Sequence, residues 1–180
     1  NVPPGESFGA VTTGGGGHTC GLRFDGSAVC WGRNENGQAN APVGEFFTAV
    51  AAGYSNTCGL HADGSVTCWG RNDVGQSTPP PGELFVALSG GAEHMCGQHD
   101  DGTVLCWGSG DWWQEKTGVP YGFGNLSAGD FHTCNRQPGG EVRCWPFGTA
   151  VVDDAPPGVY AKLASGGAHA CATTASGAMS

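Results

Sequence analysis

One fourteen-residue stretch, Thr57-Cys58-Gly59-Leu60-His61-Ala62-Asp63-Gly64-Ser65-Val66-Thr67-Cys68-Trp69-Gly70, limits what this chain can fold into, because it recurs. Further copies run over residues 19–32, 95–108 and 133–145, and a fifth begins at Ala170 and stops short. The first cysteines are Cys20, Cys58, Cys96, Cys134 and Cys171, a period of about 38 residues. Self-similarity at such a period is the signature of a repeat architecture, in which each unit buries its apolar face against the next.

Each copy reads as a β-hairpin. Short alternating segments flank Asp25-Gly26, Asp63-Gly64, Asp101-Gly102 and Gly139-Gly140, all turn-forming pairs. A three-residue loop Phe24-Asp25-Gly26, with Gly26 left-handed, sets Arg23 opposite Ser27 and Cys20 opposite Cys30. If Arg23 and Ser27 close the ladder as a hydrogen-bonded pair, alternation makes Cys20 and Cys30 a non-hydrogen-bonded pair. There the Cα atoms come within about 4.5 Å, inside disulfide range. The same count predicts the disulfides Cys20–Cys30, Cys58–Cys68, Cys96–Cys106 and Cys134–Cys144. It leaves Cys171 without an intramolecular partner, since the matching position falls one residue past Ser180. An odd cysteine implies an intermolecular bond or a partner further along a longer chain.

No stretch sustains a 3.6-residue apolar period, so the expected class is all-β. The 34 glycines in 180 residues fall at fixed places in the repeat, with no collagen triplet. Nine cysteines in regular pairs point to an oxidising, extracellular setting. Their ten-residue spacing does not fit zinc knuckles. The net charge of −9 leaves no basic face for nucleic acid or an anionic membrane, and no apolar run is long enough to insert into one. The chain starts at Asn1 rather than Met, as expected of a mature form or a piece of something longer.

Pro-Gly connectors (Asn1-Val2-Pro3-Pro4-Gly5, Thr78-Pro79-Pro80-Pro81-Gly82 and Ala155-Pro156-Pro157-Gly158) separate the units. Apolar strands are expected after them at 47–52, 85–89, 123–128 and 160–165. Gly15, Gly53, Gly91, Gly129 and Gly166 each stand five residues before a first cysteine, and a sharp turn with positive φ is the expected reason. Each unit offers three strands and room for a short fourth. The third copy breaks the pattern at Gly110-Asp111-Trp112-Trp113-Gln114. The fourth places Arg136 where the others carry an uncharged residue, and Pro146 after Trp145.

The pattern Ala-Gly-x-x-His-Thr-Cys-Gly-Leu-x-x-Asp-Gly-x-Val-x-Cys-Trp-Gly-x-Asn-x-x-Gly-Gln resembles the regulator of chromosome condensation repeat family over nearly the whole chain. Its cysteine-bearing form is similar to repeats of secreted bacterial members and of crinkly-type plant receptor ectodomains. The resemblance implies a β-propeller of four-stranded blades, usually seven. Here there are four complete hairpins and an incomplete fifth in one array, 1–180, with repeats at about 6–44, 45–82, 83–122, 123–158 and 159–180. Spacing alone also allows another stacked-sheet array.

The candidate sites are few. His18, His94, His132 and His169 share one repeat position, with Asn56 in the second copy. They are read as satisfying backbone groups of their own units rather than as a metal ring, since Asn is a poor transition-metal ligand. His61 and His99 are expected to face solvent. Trp31, Trp69, Trp107 and Trp145 are expected to pack between units. Asp25, Asp63 and Asp101 belong to turns, lacking the dense spacing of calcium loops. Trp112 and Trp113, outside the repeat, are the candidate contact loop for a protein or carbohydrate. Asn125 in Asn125-Leu126-Ser127 is the one candidate N-glycosylation acceptor. No nucleophile–base pair, phosphate loop or metalloprotease motif occurs, and neither cofactor nor metal is expected.

The sequence thus predicts a non-catalytic extracellular scaffold that binds proteins or copies of itself through the open last unit. The resemblance keeps open a ligand-binding receptor ectodomain and a secreted enzyme inhibitor, because one propeller of the family inhibits β-lactamases. A secreted hydrolase is the alternative from another class. The nuclear exchange-factor role of the founding member does not carry over, because disulfides do not fit the nucleus.

Overall fold

The computed structural model describes residues 2–109, 113–115, 126–137, 139–146 and 155–178. These form five antiparallel sheets in succession. Unit 1 holds β1 (Ala10–Gly14), β2 (His18–Leu22) and β3 (Ala28–Gly32). Unit 2 holds β4 (Ala49–Ala52), β5 (Asn56–Leu60) and β6 (Val66–Gly70). Unit 3 holds β7 (Ala87–Gly90), β8 (His94–Gln98), β9 (Val104–Gly108) and β10 (Trp113–Glu115). Unit 4 holds β11 (Leu126–Ala128), β12 (His132–Arg136) and β13 (Val142–Pro146). Unit 5 holds β14 (Lys162–Ser165) and β15 (Ala170–Thr173). The fourth strand appears where the third copy departs from the repeat, pairing Trp113 with Cys106. The described sheets do not close into a ring.

Hairpin register follows the turn chemistry. Arg23 N donates to Ser27 O at 2.9 Å, and Gly26 N donates to Arg23 O at 3.0 Å. Gly26, Gly64, Gly102 and Gly140 all sit at φ between 85° and 88°, the left-handed region that glycine enters without a Cβ penalty. Asp25 Oδ1 accepts from Ser27 N (2.9 Å) and Ser27 Oγ (2.7 Å), and Asp63 and Asp101 repeat this at Ser65 and Thr103. The register sets Cys20 opposite Cys30, with equivalent pairs in units 2 to 4. All four pairs are disulfide-bonded, with Cα atoms 4.0–4.1 Å apart.

The core lies between units. Leu22, Phe47 and Trp69 form one cluster, and Ala51, Leu60, Phe85, Met95 and Trp107 form the next. Cys96, Val104 and Cys106 pack with Leu126 and Trp145, and Val142, Tyr160 and Ala172 complete the series. Strands 2 and 3 of the repeat begin where expected; the first strand starts two residues late, at Ala49 and Ala87, because Phe47 and Phe85 still belong to the connector. The connector aromatic lies across its own hairpin. A Cβ at Gly21, Gly59 or Gly97 would overlap the ring of Phe8, Phe47 or Phe85. These rings lean on Trp31, Trp69 and Trp107 with centroids 5.4, 5.8 and 5.6 Å apart. The glycine of the Cys-Gly-Leu motif is therefore the seat of an aromatic ring.

First strands of successive units lie side by side: β1 by β4, β4 by β7, β7 by β11 and β11 by β14. The conserved spacing of glycines before each first cysteine acts here, but not through positive φ. None of Gly15, Gly53, Gly91, Gly129 and Gly166 has positive φ, which corrects the sequence-based reason. They are glycine because there is no room for a side chain. A Cβ at Gly53 would overlap Asn56 Oδ1 and lie 2.9 Å from Gly91 O; at Gly91 it would overlap His94 Cε1 and lie 2.6 Å from Gly129 O. In unit 1 this place is taken by Gly14, against Gly53 O, because the β1–β2 turn is one residue longer.

Gly91→Ala should therefore cost about 1–3 kcal/mol by overpacking. Gly44→Ala, in open space, should cost less, through its φ of 83° alone. Thermal unfolding of the two variants tests the order; equal losses would show that close approach does not matter.

Candidate functional site

The repeated histidines are buried, at 1% exposure for His18, 0% for His94 and 4% for His132. Each stands at the start of a second strand, next to the closely packed glycines. They do not serve backbone groups of their own units, as the sequence reading expected; they reach forward to the next unit. His18 Nε2 lies 2.9 Å from Thr57 Oγ1, and His94 Nε2 lies 3.0 Å from Thr133 Oγ1. Thr57 Oγ1 gives its one proton to Gln38 O at 3.0 Å, so His18 must be the donor. Trp69 Nε1 also donates to Gln38 O, at 2.9 Å. The exit turn of unit 1 is thus held by both a hydroxyl and an indole of unit 2.

The seam between units 2 and 3 changes both partners. Asn56 replaces the histidine and Met95 the threonine, and Asn56 Nδ2 turns back to Gln76 O at 3.1 Å. At the seam between units 4 and 5, Ala170 stands in the threonine position. His132 Nε2 there has no hydrogen-bond partner among the described residues. An unmet buried group of this kind costs about 1–3 kcal/mol. Among the described residues no group of three or more His, Cys, Asp or Glu could hold a metal ion.

His61 and His99 do not face solvent; they are half-buried against Phe47 and Phe85, with ring centroids 4.8 and 4.7 Å apart. Their Nδ1 atoms lie 3.1 Å from Phe46 O and 2.9 Å from Leu84 O, which ties each hairpin to its own connector. Of the candidate contact loop, Trp112 lies outside the described residues, as do the side chain of Trp113 and Asn125. Cys171 is exposed and unbonded on β15, opposite Ala164.

The sequence reading missed a surface at the hairpin tips. Each tip bonds the connector that leads into the next unit: Phe47 N donates to Gly26 O, Phe85 N to Gly64 O and Tyr160 N to Gly140 O, all at 2.8 Å. Because these connectors are extended, the residue before the buried aromatic points out. Phe46 is 59% exposed, Leu84 56% and Val159 68%. The signal was present in Phe46-Phe47, Leu84-Phe85 and Val159-Tyr160, where two neighbouring apolar residues cannot both face inward.

Burial holds the His94 imidazole down to about 4 from its ordinary 6.5, and moves His18 and His132 in the same direction. The unfolded chain protonates these rings as pH falls below about 6.5, while folded His94 resists until about 4. Stability should be full above pH 6.5 and fall between 6.5 and 4, with His94 alone contributing about 2–3 kcal/mol by pH 4.5. Denaturant midpoints from pH 7.5 to 4.5 check this. His94→Gln should flatten the slope, and an unchanged slope would remove His94 as its source.

The regulator of chromosome condensation (RCC1) repeat matches residues 10–38 and 47–76. No curated protein matches the chain in sequence. The CRINKLY WD40 ectodomain of the Arabidopsis thaliana receptor kinase ACR4 is similar at 26% identity and a TM-score of 0.73, covering 97% of this chain and 63% of that one. The ectodomain of the Physcomitrella patens receptor kinase CR4 is similar at 33% identity and a TM-score of 0.65, covering 79% of this chain and 39% of that one. The chain therefore spans less than two thirds of either ectodomain. Yeast RCC1 (Prp20), solved bound to Kap60, shares the fold at 14% identity and a TM-score of 0.73, over 91% of this chain and 53% of its own. Repeat match, blade-like sheets and propeller neighbours together make this chain an RCC1-like repeat protein.

Proposed function

We propose that this protein is an extracellular, non-catalytic scaffold that holds protein partners on its surface. The observation that carries the reading is the disulfide in each of four units, whose first cysteines are all 0% exposed. A thiol pair built into every repeat suits a compartment that keeps it oxidised. The likeness to two receptor-kinase ectodomains supports the same setting. Stacked sheets with rigid seams and mobile-length tips present surface rather than a cleft, which suits partner binding.

Two measurements test this on the natural source. Maleimide labelling of the unreduced, denatured protein should add one adduct, at Cys171, and nine after reduction. Membrane-impermeant biotinylation of intact cells should label the chain, and impermeant cross-linking should join it to other proteins. Four or more free thiols before reduction, or labelling only after lysis, would overturn the extracellular assignment.

A second reading is self-association through β15. Its outer edge carries no third strand among the described residues, whereas β2, β5, β8 and β12 each have one. Such an edge is a template for another strand, and Cys171 lies along it. Light scattering after size exclusion should then show oligomers that shrink on reduction or on Cys171→Ser. A monomer at all concentrations in oxidising buffer would dismiss self-association.

A further inference from the structure

The hairpin tips of units 1 to 3 and the connectors beside them form a rim with two properties. It is apolar at regular intervals: Phe24 is 82% exposed, and Phe46, Leu84 and Val86 stand out from the connectors. Large apolar side chains repeated at the unit spacing make a contiguous surface rather than scattered exposure. The rim is also acidic. Asp25, Asp63, Asp100 and Asp101 sit on the tips, and Glu45 and Glu83 sit in the connectors. Hydrogen bonds from Ser27 and Ser65 hold the Asp25 and Asp63 carboxyls below their ordinary range, so both carry charge at neutral pH.

No cation balances this. Residues 2–109 contain three arginines and no lysine. Arg23, at the first tip, is held by Glu6 at 2.6 Å through both Nε and Nη2. Arg33 and Arg71 follow the third strands at the opposite end of their units, where they bond Glu35, Asp73 and Glu93. His61 Nε2 and His99 Nε2 lie 3.5 Å from Glu45 and Glu83, so an imidazole is the rim's nearest other donor. The charge of the rim is therefore uncompensated, and the apolar side chains between the carboxylates are unpartnered.

We infer that this rim is the docking surface for a basic peptide segment bearing large apolar anchors, Lys or Arg alternating with Leu or Phe. The carboxylates match the cations, and the apolar side chains give the anchors something to bury against. Neither property would suffice alone: bare charge attracts without register, and a bare apolar strip would not choose this partner over another. The inference rests on the scaffold reading and names its partner's chemistry.

The test is fluorescence anisotropy of the full chain with a labelled octapeptide of alternating lysine and leucine. Two controls alternate lysine with serine and glutamate with leucine. The Lys–Leu peptide should bind at least tenfold tighter than either control. Its affinity should fall at least fivefold between 50 and 300 mM NaCl, because the attraction is screened. Phe46→Ser with Leu84→Ser, both exposed, should weaken it at least fivefold, and so should Glu83→Gln with Asp100→Asn. Asp73→Asn with Glu93→Gln, at the opposite end, should leave it unchanged. Equal binding of the Lys–Ser peptide, indifference to the rim variants, or dimerisation of the chain through Phe46 and Leu84 would each overturn the inference. If the rim fails while impermeant cross-linking still joins the chain to proteins on intact cells, the scaffold stands and only the partner's chemistry is wrong.

Discussion

The structure depends on how closely the first strands of neighbouring units approach. At Gly14, Gly53, Gly91 and Gly129 the backbone lies against a carbonyl of the next unit, with a histidine or asparagine side chain on its other side. A methyl group at any of these would have to displace a backbone oxygen or a buried ring. Because the approach is backbone against backbone, further bonds can form across the seam. Tyr54 N donates to Gly91 O at 3.0 Å, and Asp130 N to Gly167 O at 2.9 Å. Ser89 and Ser127 hydroxyls accept from Ala128 N and Ser165 N at 2.8 Å. Sheets that are each only three strands wide thus share one inner spine.

Much of this was legible because the hairpin obeys local rules. Asp-Gly sets the turn, the turn sets the register, and the register brings the cysteines together two pairs further along. The connectors were legible as Pro-Gly segments. What failed was any reading confined to one unit. The glycines before each first cysteine looked like turn formers, since a left-handed turn is the usual local reason for glycine. The true reason lies in the next copy, 38 residues on. The histidines were assigned to their own backbone for the same cause. His18 with Thr57, His94 with Thr133, and Asn56 with Met95 form a pattern only when position i is read against i + 39. The exposed tips were missed because attention to charge and attention to apolar residues were separate, and the rim joins them.

Disulfides and aromatic seats divide the labour. Each disulfide ties two neighbouring strands within one sheet and closes a short loop, worth about 2–3 kcal/mol. It does nothing to hold one sheet on the next. That falls to Phe47 and Phe85 on their glycine seats, to the tryptophans, and to the buried His–Thr bonds. Units are thus stiff inside through sulfur, and joined outside through packing that varies from seam to seam.

That variation limits how such a chain can grow by tandem duplication. A unit presents its histidine position backward to the unit after it and the following residue forward to the unit before it. Unit 1 carries His18 and Thr19, and unit 4 carries His132 and Thr133, so a second copy of either, inserted next to itself, meets a matching hydroxyl. Unit 3 carries His94 and Met95; doubled, it would set an imidazole against a thioether, with its proton stranded in the interior. The gene can lengthen by copying its first or fourth repeat, whereas copying the third requires a second change at the new junction.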